Sequence, residues 1–304
     1  MKKYTKLTAA LALGAAAALA LSACSSGGDS DSSGGGDADS KGGDPIVLGY
    51  TPGWTDQEAM AYLVANQLQK LGYETEMEEL ADNGPIFAAT ASGDIDIFAS
   101  TWPEVTHKAY MDEFGDNLES LGTYYDNAQL FLAVPSYSKV DSIEDLKDNA
   151  DLFDKEIVGI EPGAGLTKVT QEVAMPEYGL DDWTLTTSST ASMLTVLGDA
   201  IDKKEDVVVT LWRPFWATTA YDVKQLEDPK GAMGEPESLQ SMATKGFSDE
   251  HPDAAELIGG ITIDDEAYGS LETLITSDEY KGDYEGAVAQ WIKDNPDAFP
   301  TLIQ

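Results

Sequence analysis

Short apolar segments alternate with helix-forming segments along most of this 304-residue chain, and this alternation constrains its fold more than any other feature. The apolar run 46–50 is followed by a helix-forming segment over 59–71. The second half repeats the order, because an apolar run at 157–160 precedes the glycine-rich loop 161–165 and a further helix. Strands that alternate with helices in this way predict a parallel α/β sheet, and two such sets indicate two lobes.

Local signals predict where several elements begin. Thr55 and Glu58 fit a capping box at the start of the first helix, and Ser189 or Thr190 can cap a helix in the second half. We expect the segment after about 225 to be mainly helical. Further strands are predicted at 73–80, 93–100, 183–187 and 207–211, and further helices at 86–92 and 283–294.

The N-terminal segment 1–23 predicts a secretory signal peptide. It has a lysine-rich start, an apolar stretch of Ala and Leu, and small residues at its end. Cys24 is the only cysteine, so it cannot form an internal disulfide. Its context, Leu21-Ser22-Ala23-Cys24, resembles the bacterial lipoprotein cleavage motif, in which the cysteine becomes the lipidated N-terminus.

The segment 24–44 is almost entirely Ser, Gly and Asp after the cysteine, which predicts a flexible linker. Its twenty or so residues have a typical reach of about 25 Å. We therefore expect a lipid on Cys24 to anchor a folded body of residues 45–304 to the outer face of the cell membrane. No later stretch is long and apolar enough to span a bilayer.

The charge balance excludes one class of partner. The chain carries 55 Asp and Glu against 18 Lys and Arg, a net charge of −37. Nucleic-acid binding needs clustered Lys and Arg at phosphates, so we expect no nucleic-acid partner. The acidity suits a well-solvated surface, for which a salty medium is one explanation.

Three tryptophans follow predicted strands, at the position where α/β proteins bind ligands. They are Trp54, Trp102 and Trp212, and the loop 161–165 occupies the equivalent place after another strand. A single tryptophan is ordinarily a core residue, and Trp183 and Trp291 fit that description. We expect the other three to form the wall of a cleft, and Trp216 to pack behind Trp212.

Converging indole faces favour a cation that has no N–H to donate, namely a quaternary ammonium group. Its methyl groups are apolar and spread the charge, so an aromatic box desolvates it at little cost. Three desolvated faces supply about 4–6 kcal/mol. Micromolar affinity needs about 8 kcal/mol, so contacts to the other end of the ligand must supply the rest.

An ordered set of segments resembles the substrate-binding proteins of glycine betaine, proline betaine and choline ABC importers. The segments are GYTPGWTDQEA, GDIDIFASTWPEVTH, IVGIEPGAGLTK, SSTASML and VVVTLWRPFW, followed by LEDPKGAMG. The resemblance implies a two-lobed α/β fold of the type II periplasmic-binding-protein class, each lobe a mixed sheet flanked by helices. It implies lobe I at 45–128 plus 230–304, lobe II at 129–229, and a ligand in the cleft between them.

The same resemblance implies site residues and partners. Trp102 and Trp212 match the cage tryptophans, one in each lobe, while Trp54 and Asp56 match a tryptophan and a hydroxyl-contacting acid of the choline branch. It implies delivery of a small quaternary ammonium ligand to an ABC permease by a monomer that needs no cofactor or metal.

Three positions depart from the family pattern. Phe215 stands where the family often has histidine, Leu130 stands at a cage tyrosine of the choline branch, and Ala164 stands at its asparagine. These departures favour glycine betaine, with choline, carnitine and proline betaine as alternatives.

A betaine carboxylate needs hydrogen-bond donors. The candidates are the backbone amides near Gln57 and Glu58 at a helix start, and those of Gly163, Ala164 and Gly165. Arg213, the only arginine, is either a ligand contact or an exposed ion pair facing the other lobe or the transporter.

Two other functions stay open at this point. A ligand-sensing lipoprotein would use the same pocket. A secreted hydrolase is the distant alternative, but the chain has no GxSxG or HExxH motif and no metal-spaced His and Cys set. Its two histidines, His107 and His251, lie in polar segments that predict surface positions. We therefore expect a binding protein and no catalytic residues.

Overall fold

The computed structural model describes residues 43–304. The predicted signal peptide 1–23, the lipidation site Cys24 and the linker up to residue 42 lie outside the described residues. Among the helices of the described part, none combines the length and the apolar character that a membrane crossing requires.

The strands form one continuous path of pairing in the order β2-β1-β3-β9-β4-β7-β5-β6, with β8 also paired to β4. Buried apolar strands such as β1 lie inside this sheet, which places their carboxyl ends along a shared edge. The strands are β1 Ile46–Tyr50, β2 Thr75–Glu79, β3 Ile97–Thr101, β4 Leu118–Pro135, β5 Glu156–Val158, β6 Thr184–Thr186, β7 Val209–Arg213, β8 Val223–Gln225 and β9 Glu237–Thr244.

The sheet is mixed rather than wholly parallel. β1 pairs in parallel with β2 and β3, and β5 pairs in parallel with β6 and β7. β4 and β9 run antiparallel to their neighbours. The expectation of a parallel sheet from alternation alone was therefore incomplete, whereas the mixed α/β fold implied by the resemblance is confirmed.

The 18-residue strand β4 changes partner along its length. It pairs with β9 as far as Ala128 opposite Glu237, and with β7 from Gln129 opposite Arg213. We call β1–β3, β9 and the first part of β4 the first strand group, and β5–β8 with the second part of β4 the second strand group. The lobe limits implied by the resemblance stay a prediction.

The helices flank these strands, and five of the twelve helices in residues 43–304 begin with a side-chain cap. Ser189 accepts from the amide of Ser192, as predicted, and Asp283 accepts from the amide of Gly286. A π-helical turn, Thr170–Ala174, joins α5, Gly165–Val169, to α6, Met175–Glu177. The helices are α1 Thr55–Lys70, α2 Asn83–Ser92, α3 Lys108–Phe114, α4 Ile143–Leu146, α5 Gly165–Val169, α6 Met175–Glu177, α7 Thr190–Lys203, α8 Ala217–Ala220, α9 Phe247–Glu250, α10 Pro252–Gly259, α11 Asp265–Thr276 and α12 Tyr284–Asp294.

The predicted capping box of α1 was wrong. Thr55 donates its hydroxyl to Glu272 Oε1 at 2.6 Å, and Glu58 Oε1 accepts from the amide of Gly53 at 2.8 Å. Trp54 is the residue that precedes the helix, without a side-chain cap. The first turn is buried, so its polar side chains are used in contacts with other elements rather than in capping their own helix.

The two tryptophans expected in the core are there. Trp291 is fully buried in α12 and donates to Ser270 Oγ at 2.7 Å, and Trp183 is buried beside Phe153 at a ring distance of 6.1 Å. Trp291 satisfies the rule that a buried indole N–H finds a hydrogen-bond partner.

Candidate ligand-binding site

Three tryptophans from separate parts of the sequence line one cavity. Trp54 follows β1, Trp102 follows β3, and Trp212 lies near the end of β7. Each side chain is buried. The lining is Trp54, Asp56, Gln57, Asn83, Trp102, Thr106, His107, Leu130, Ile160, Ala164, Gly165, Leu166 and Trp212.

The indole of Trp54 is fixed by residues of the second strand group. Its Nε1 donates to Glu161 Oε2 at 3.0 Å and lies 3.1 Å from Thr190 Oγ1. Glu161 itself accepts from the amide and the hydroxyl of Thr190, both at 2.9 Å. One carboxylate therefore ties the start of α7 to a cavity wall supplied by the first strand group.

The indole of Trp102 is fixed from within the first strand group. Its Nε1 donates to Asp56 Oδ2 at 3.1 Å, and Ser100 Oγ donates to the same oxygen at 2.8 Å. Burial raises the pKa of Asp56, and the hydrogen bonds from Ser100, Trp102 and the amides of Asp56 and Gln57 oppose that rise. A carboxylate at the nitrogen leaves the ring face richer in electrons, which favours a cation above it.

The third wall, Trp212, is supported by an aromatic stack. Phe215 lies parallel to it, with 3.9 Å between ring centroids and 16° between planes. Trp216 contacts Phe215 edge-on at 5.9 Å. Trp216 was expected to pack behind Trp212, but the turn after β7 brings Phe215 onto the indole and Trp216 contacts Phe215. Leu130, the register partner of Trp212 on β4, adds an apolar surface to the lining.

Three polar residues of the lining, Gln57, Asn83 and His107, contact one another in sequence. Gln57 Nε2 donates to Asn83 Oδ1 at 3.0 Å, and Asn83 Nδ2 lies 2.7 Å from His107 Nε2. His107 Nδ1 accepts from the backbone amide of Trp102 at 3.0 Å. The predicted surface position of His107 was wrong, because the turn 102–107 folds the imidazole back against β3.

Burial governs the ionisation of His107. Its ring packs edge-on against Phe87, 5.2 Å between centroids. Desolvation, and to a smaller extent the charge of Lys168, lowers the pKa of His107 to about 3. The imidazole is therefore neutral at physiological pH and carries one N–H. Sequence reasoning missed His107 and Asn83 as lining residues, and only the proximity of His107 to Trp102 along the chain pointed to it.

The glycine-rich loop 161–165 approaches the first strand group closely. A Cβ on Gly165 would lie 1.9 Å from the carbonyl oxygen of Thr106, and one on Gly163 would lie 2.1 Å from Asp82 Oδ2. Tyr110 Oη donates to the carbonyl of Gly163 at 2.9 Å. Of the three residues expected to supply amides, Ala164 and Gly165 line the cavity, whereas Gly163 is used in contacts beside it.

Two further candidates lie outside the lining. Glu58 accepts from the amide of Gly53 and, at 3.1 Å, from Tyr284 Oη. Arg213 donates to Gln225 Oε1 at 3.3 Å and lies 5.4 Å from the ring centroid of Phe131. Within residues 43–304, no group of three or more His, Cys, Asp and Glu is placed to hold a metal ion.

Comparison with known proteins identifies the family to which this chain is similar. A family model described as the substrate-binding domain of the ABC-type glycine betaine transport system, OpuAC, matches residues 44–294. The glycine betaine/carnitine transport binding protein GbuC of Listeria monocytogenes serotype 1/2a (strain 10403S) is 38% identical over 155 residues, 50% of this chain and 50% of that protein. The chain thus spans about half the length of this curated relative.

Solved structures share the fold over most of the chain. Lactococcal OpuAC, closed and in complex with glycine betaine, aligns at a TM-score of 0.77 and 32% identity, covering 84% of this chain and 98% of that one. ProX from Borrelia burgdorferi, a glycine/betaine/L-proline-binding protein, aligns at 0.78 and 28%, covering 84% and 97%. The predicted α/β fold of periplasmic binding proteins is confirmed. This chain belongs to the family of substrate-binding domains of ABC-type glycine betaine transport systems.

Proposed function

We propose that this protein is the extracytoplasmic substrate-binding component of an ABC importer and that it binds glycine betaine in the tryptophan-lined cavity. One observation carries the proposal: Trp54, Trp102 and Trp212 share a cavity with the polar groups of Asn83 and His107. A betaine has a trimethylammonium end and a carboxylate end. An aromatic wall suits the first, and a set of N–H donors suits the second.

The cationic end is held by the indole faces and by one buried carboxylate. Asp56 lies in the lining and receives the N–H of Trp102, so its ionised form would add attraction for a cation that cannot accept or donate hydrogen bonds. The lining also contains apolar side chains, including those of Leu130, Ile160 and Leu166. These surfaces favour methyl groups over the hydrated ammonium of a primary amine.

Choline is the second candidate, because Asp56 is placed where an acid could accept a hydroxyl. That carboxylate already receives the hydroxyl of Ser100 and the indole N–H of Trp102, both on Oδ2. Glycine betaine is favoured because its carboxylate matches the N–H donors of the lining, whereas choline has no carboxylate to accept them. Carnitine and proline betaine share the quaternary nitrogen and the carboxylate, and they differ from glycine betaine in size.

The two strand groups are proposed to be lobes, at 45–128 plus 230–304 and at 129–229, that close over the ligand. The contacts of Glu161 with Trp54 and of Tyr110 with Gly163 link the groups beside the cavity. A ligand that contacts indoles of both groups binds the closed arrangement better than an open one, so it would shift the population toward closure.

Anchoring and partners complete the proposal. A lipid on Cys24 and a linker over 24–44 would hold a monomer beside a membrane permease, after removal of residues 1–23. No catalytic role is proposed for any residue of the site. A ligand sensor with the same pocket would differ in its partner and not in its binding chemistry.

Isothermal titration of the purified protein with glycine betaine, choline, carnitine and proline betaine tests the function directly. We expect glycine betaine to bind and choline to bind more weakly. Uptake of labelled glycine betaine by cells that carry the permease, with and without the protein, separates an importer component from a sensor. Absence of heat with all four ligands, on protein with a cooperative thermal transition, would contradict the proposal.

A further inference from the structure

A chain of polar side chains in the cavity lining begins and ends at backbone N–H groups. The amide of Thr51 donates to Gln57 Oε1 at 2.8 Å, which leaves Nε2 of Gln57 to face Asn83. At the other end, the amide of Trp102 donates to His107 Nδ1 at 3.0 Å. A backbone N–H can only donate. The two amides at the ends of the chain therefore determine which atom donates and which accepts in each hydrogen bond between them.

The two directions conflict where Asn83 meets His107. Starting from the Thr51 amide, Gln57 Oε1 accepts and Gln57 Nε2 donates to Asn83 Oδ1. The amide nitrogen of Asn83 is left as a donor, and it lies 2.7 Å from His107 Nε2. From Trp102, Nδ1 of His107 is an acceptor, which places the single proton of a neutral imidazole on Nε2. Two N–H donors then face each other. Flipping the side-chain amide of Gln57 or of Asn83 only moves the contact between two donors to another pair of atoms in the chain.

This surplus donor opens onto the ligand cavity. Gln57, Asn83 and His107 all lie in the lining, beside the tryptophans. A second proton on the imidazole would add another donor rather than remove one. The protein alone therefore presents one more N–H than its own acceptors can satisfy, among residues that line the cavity.

We propose that the surplus N–H selects a ligand carboxylate, which accepts hydrogen bonds from His107 Nε2 and Asn83 Nδ2 and so completes the chain. The inference rests on the proposed function and assigns the carboxylate end of the ligand to side chains, in addition to the backbone amides near Gln57 and Gly165. An ionised carboxylate accepts only, and its charged hydrogen bonds are about twice as strong as neutral ones. The hydroxyl of choline brings a further donor and is the poorer match.

Two single substitutions satisfy the chain without any ligand. In Asn83→Asp, the carboxylate accepts from Gln57 Nε2 and from His107 Nε2. In Gln57→Glu, the carboxylate accepts from the amide of Thr51 and from Asn83 Nδ2, which turns Asn83 Oδ1 toward His107. Asn127→Asp, at an exposed position, is the control for the added negative charge.

Titration of these variants and the wild-type protein with glycine betaine and choline tests the proposal. We expect glycine betaine affinity to fall at least 100-fold in Asn83→Asp and in Gln57→Glu, choline affinity to change less than tenfold, and Asn127→Asp to behave as wild type. A folded variant of either kind that binds glycine betaine within threefold of wild type would overturn the role of the chain. Wild-type protein that binds no betaine at all would overturn the proposed function itself.

A spectroscopic measurement is independent of affinity. Long-range proton–nitrogen NMR of the glycine betaine complex should show His107 as the Nε2–H tautomer. The Nδ1–H tautomer in that complex would contradict the donor assignment, because Nε2 would then be an acceptor.

Discussion

Glu161 Oε2 accepts a hydrogen bond from Trp54 Nε1 at 3.0 Å, and this contact joins the two strand groups at the edge of the cavity. The same carboxylate is held by the amide and the hydroxyl of Thr190 at the start of α7. Three donors converge on one acceptor-only group. The contact can exist only while the groups are close, so it would be part of the proposed closed arrangement.

Glu161→Gln is therefore expected to speed ligand release. The amide replaces an acceptor with a donor and must lose at least one of the three hydrogen bonds. We expect an increase in the dissociation rate of about tenfold, which corresponds to about 1.4 kcal/mol, with a small change in association. Stopped-flow tryptophan fluorescence measures both rates. Glu172→Gln, at an exposed position, is the control, and an unchanged dissociation rate in Glu161→Gln would show that the contact does not retain ligand.

Removal of a cage indole should weaken binding without unfolding the protein. Trp102→Ala and Trp212→Ala each remove a ring face next to the cation, and we expect each to raise the Kd for glycine betaine at least tenfold. Calorimetric titration gives the Kd, and circular dichroism verifies the fold. Trp216→Ala is the matched control, because Trp216 contacts Phe215 and lies outside the lining. Equal losses in all three variants would point to a general packing defect.

Gly165→Ala should obstruct the close approach of loop 161–165 to Thr106. The added Cβ would lie 1.9 Å from a backbone oxygen, which cannot move as a side-chain end can. We expect a loss of affinity of about 100-fold, roughly 2.7 kcal/mol, with a more extended ligand-bound form in small-angle X-ray scattering. Gly269→Ala in α11, where a Cβ meets nothing within 4 Å, should bind normally. Normal compaction of Gly165→Ala would refute the steric argument.

The stability of the protein should depend on the ionisation of Glu272. Burial raises its pKa from 4.5 to about 8, and the Thr55 hydroxyl bond only partly opposes this rise. Because the folded-state pKa is higher than the unfolded one, the stabilising contribution is present below pH 4.5 and is lost as pH rises to about 8, at up to about 1.4 kcal/mol per pH unit. Thermal unfolding from pH 5 to 8 should therefore show that the melting temperature of Glu272→Gln rises relative to that of wild type as pH increases.

The control for this pH series is Glu266→Gln, an exposed substitution on the same helix. It should track wild type at every pH. A constant difference between Glu272→Gln and wild type across the series would mean that Glu272 has the same ionisation in the folded and unfolded states.

Sequence reasoning was strongest for the cavity walls and weakest for the connecting strands. Trp54 and Trp102 could be placed because each comes within four residues of the end of a short apolar strand, and the carboxyl ends of such strands meet. The strands β4 and β9 could not be predicted, because their polar residues, such as Asp126 and Gln240, interrupt the apolar pattern. Their pairing is long-range and leaves no local periodicity.

The polar residues of the site could mostly not be predicted from the sequence, for a similar reason. His107 stands among polar neighbours and was expected at the surface, but it is buried by a turn whose closing contact is the amide of Trp102. The capping motif at Thr55 was misleading because Glu272, distant in sequence, takes the hydroxyl. Local signals describe a residue's neighbours along the chain, and both outcomes were decided by neighbours in space.

The anchoring of Trp102 at its nitrogen by Asp56 has a thermodynamic consequence for recognition. An indole that is free to rotate would lose about 0.5–1.5 kcal/mol of side-chain entropy on meeting a ligand. Here the rotamer is immobilised when the chain folds, so the incoming molecule meets a surface that is already oriented. Discrimination among similar cations then depends on shape against a rigid wall, since this wall cannot adapt to a bulkier headgroup.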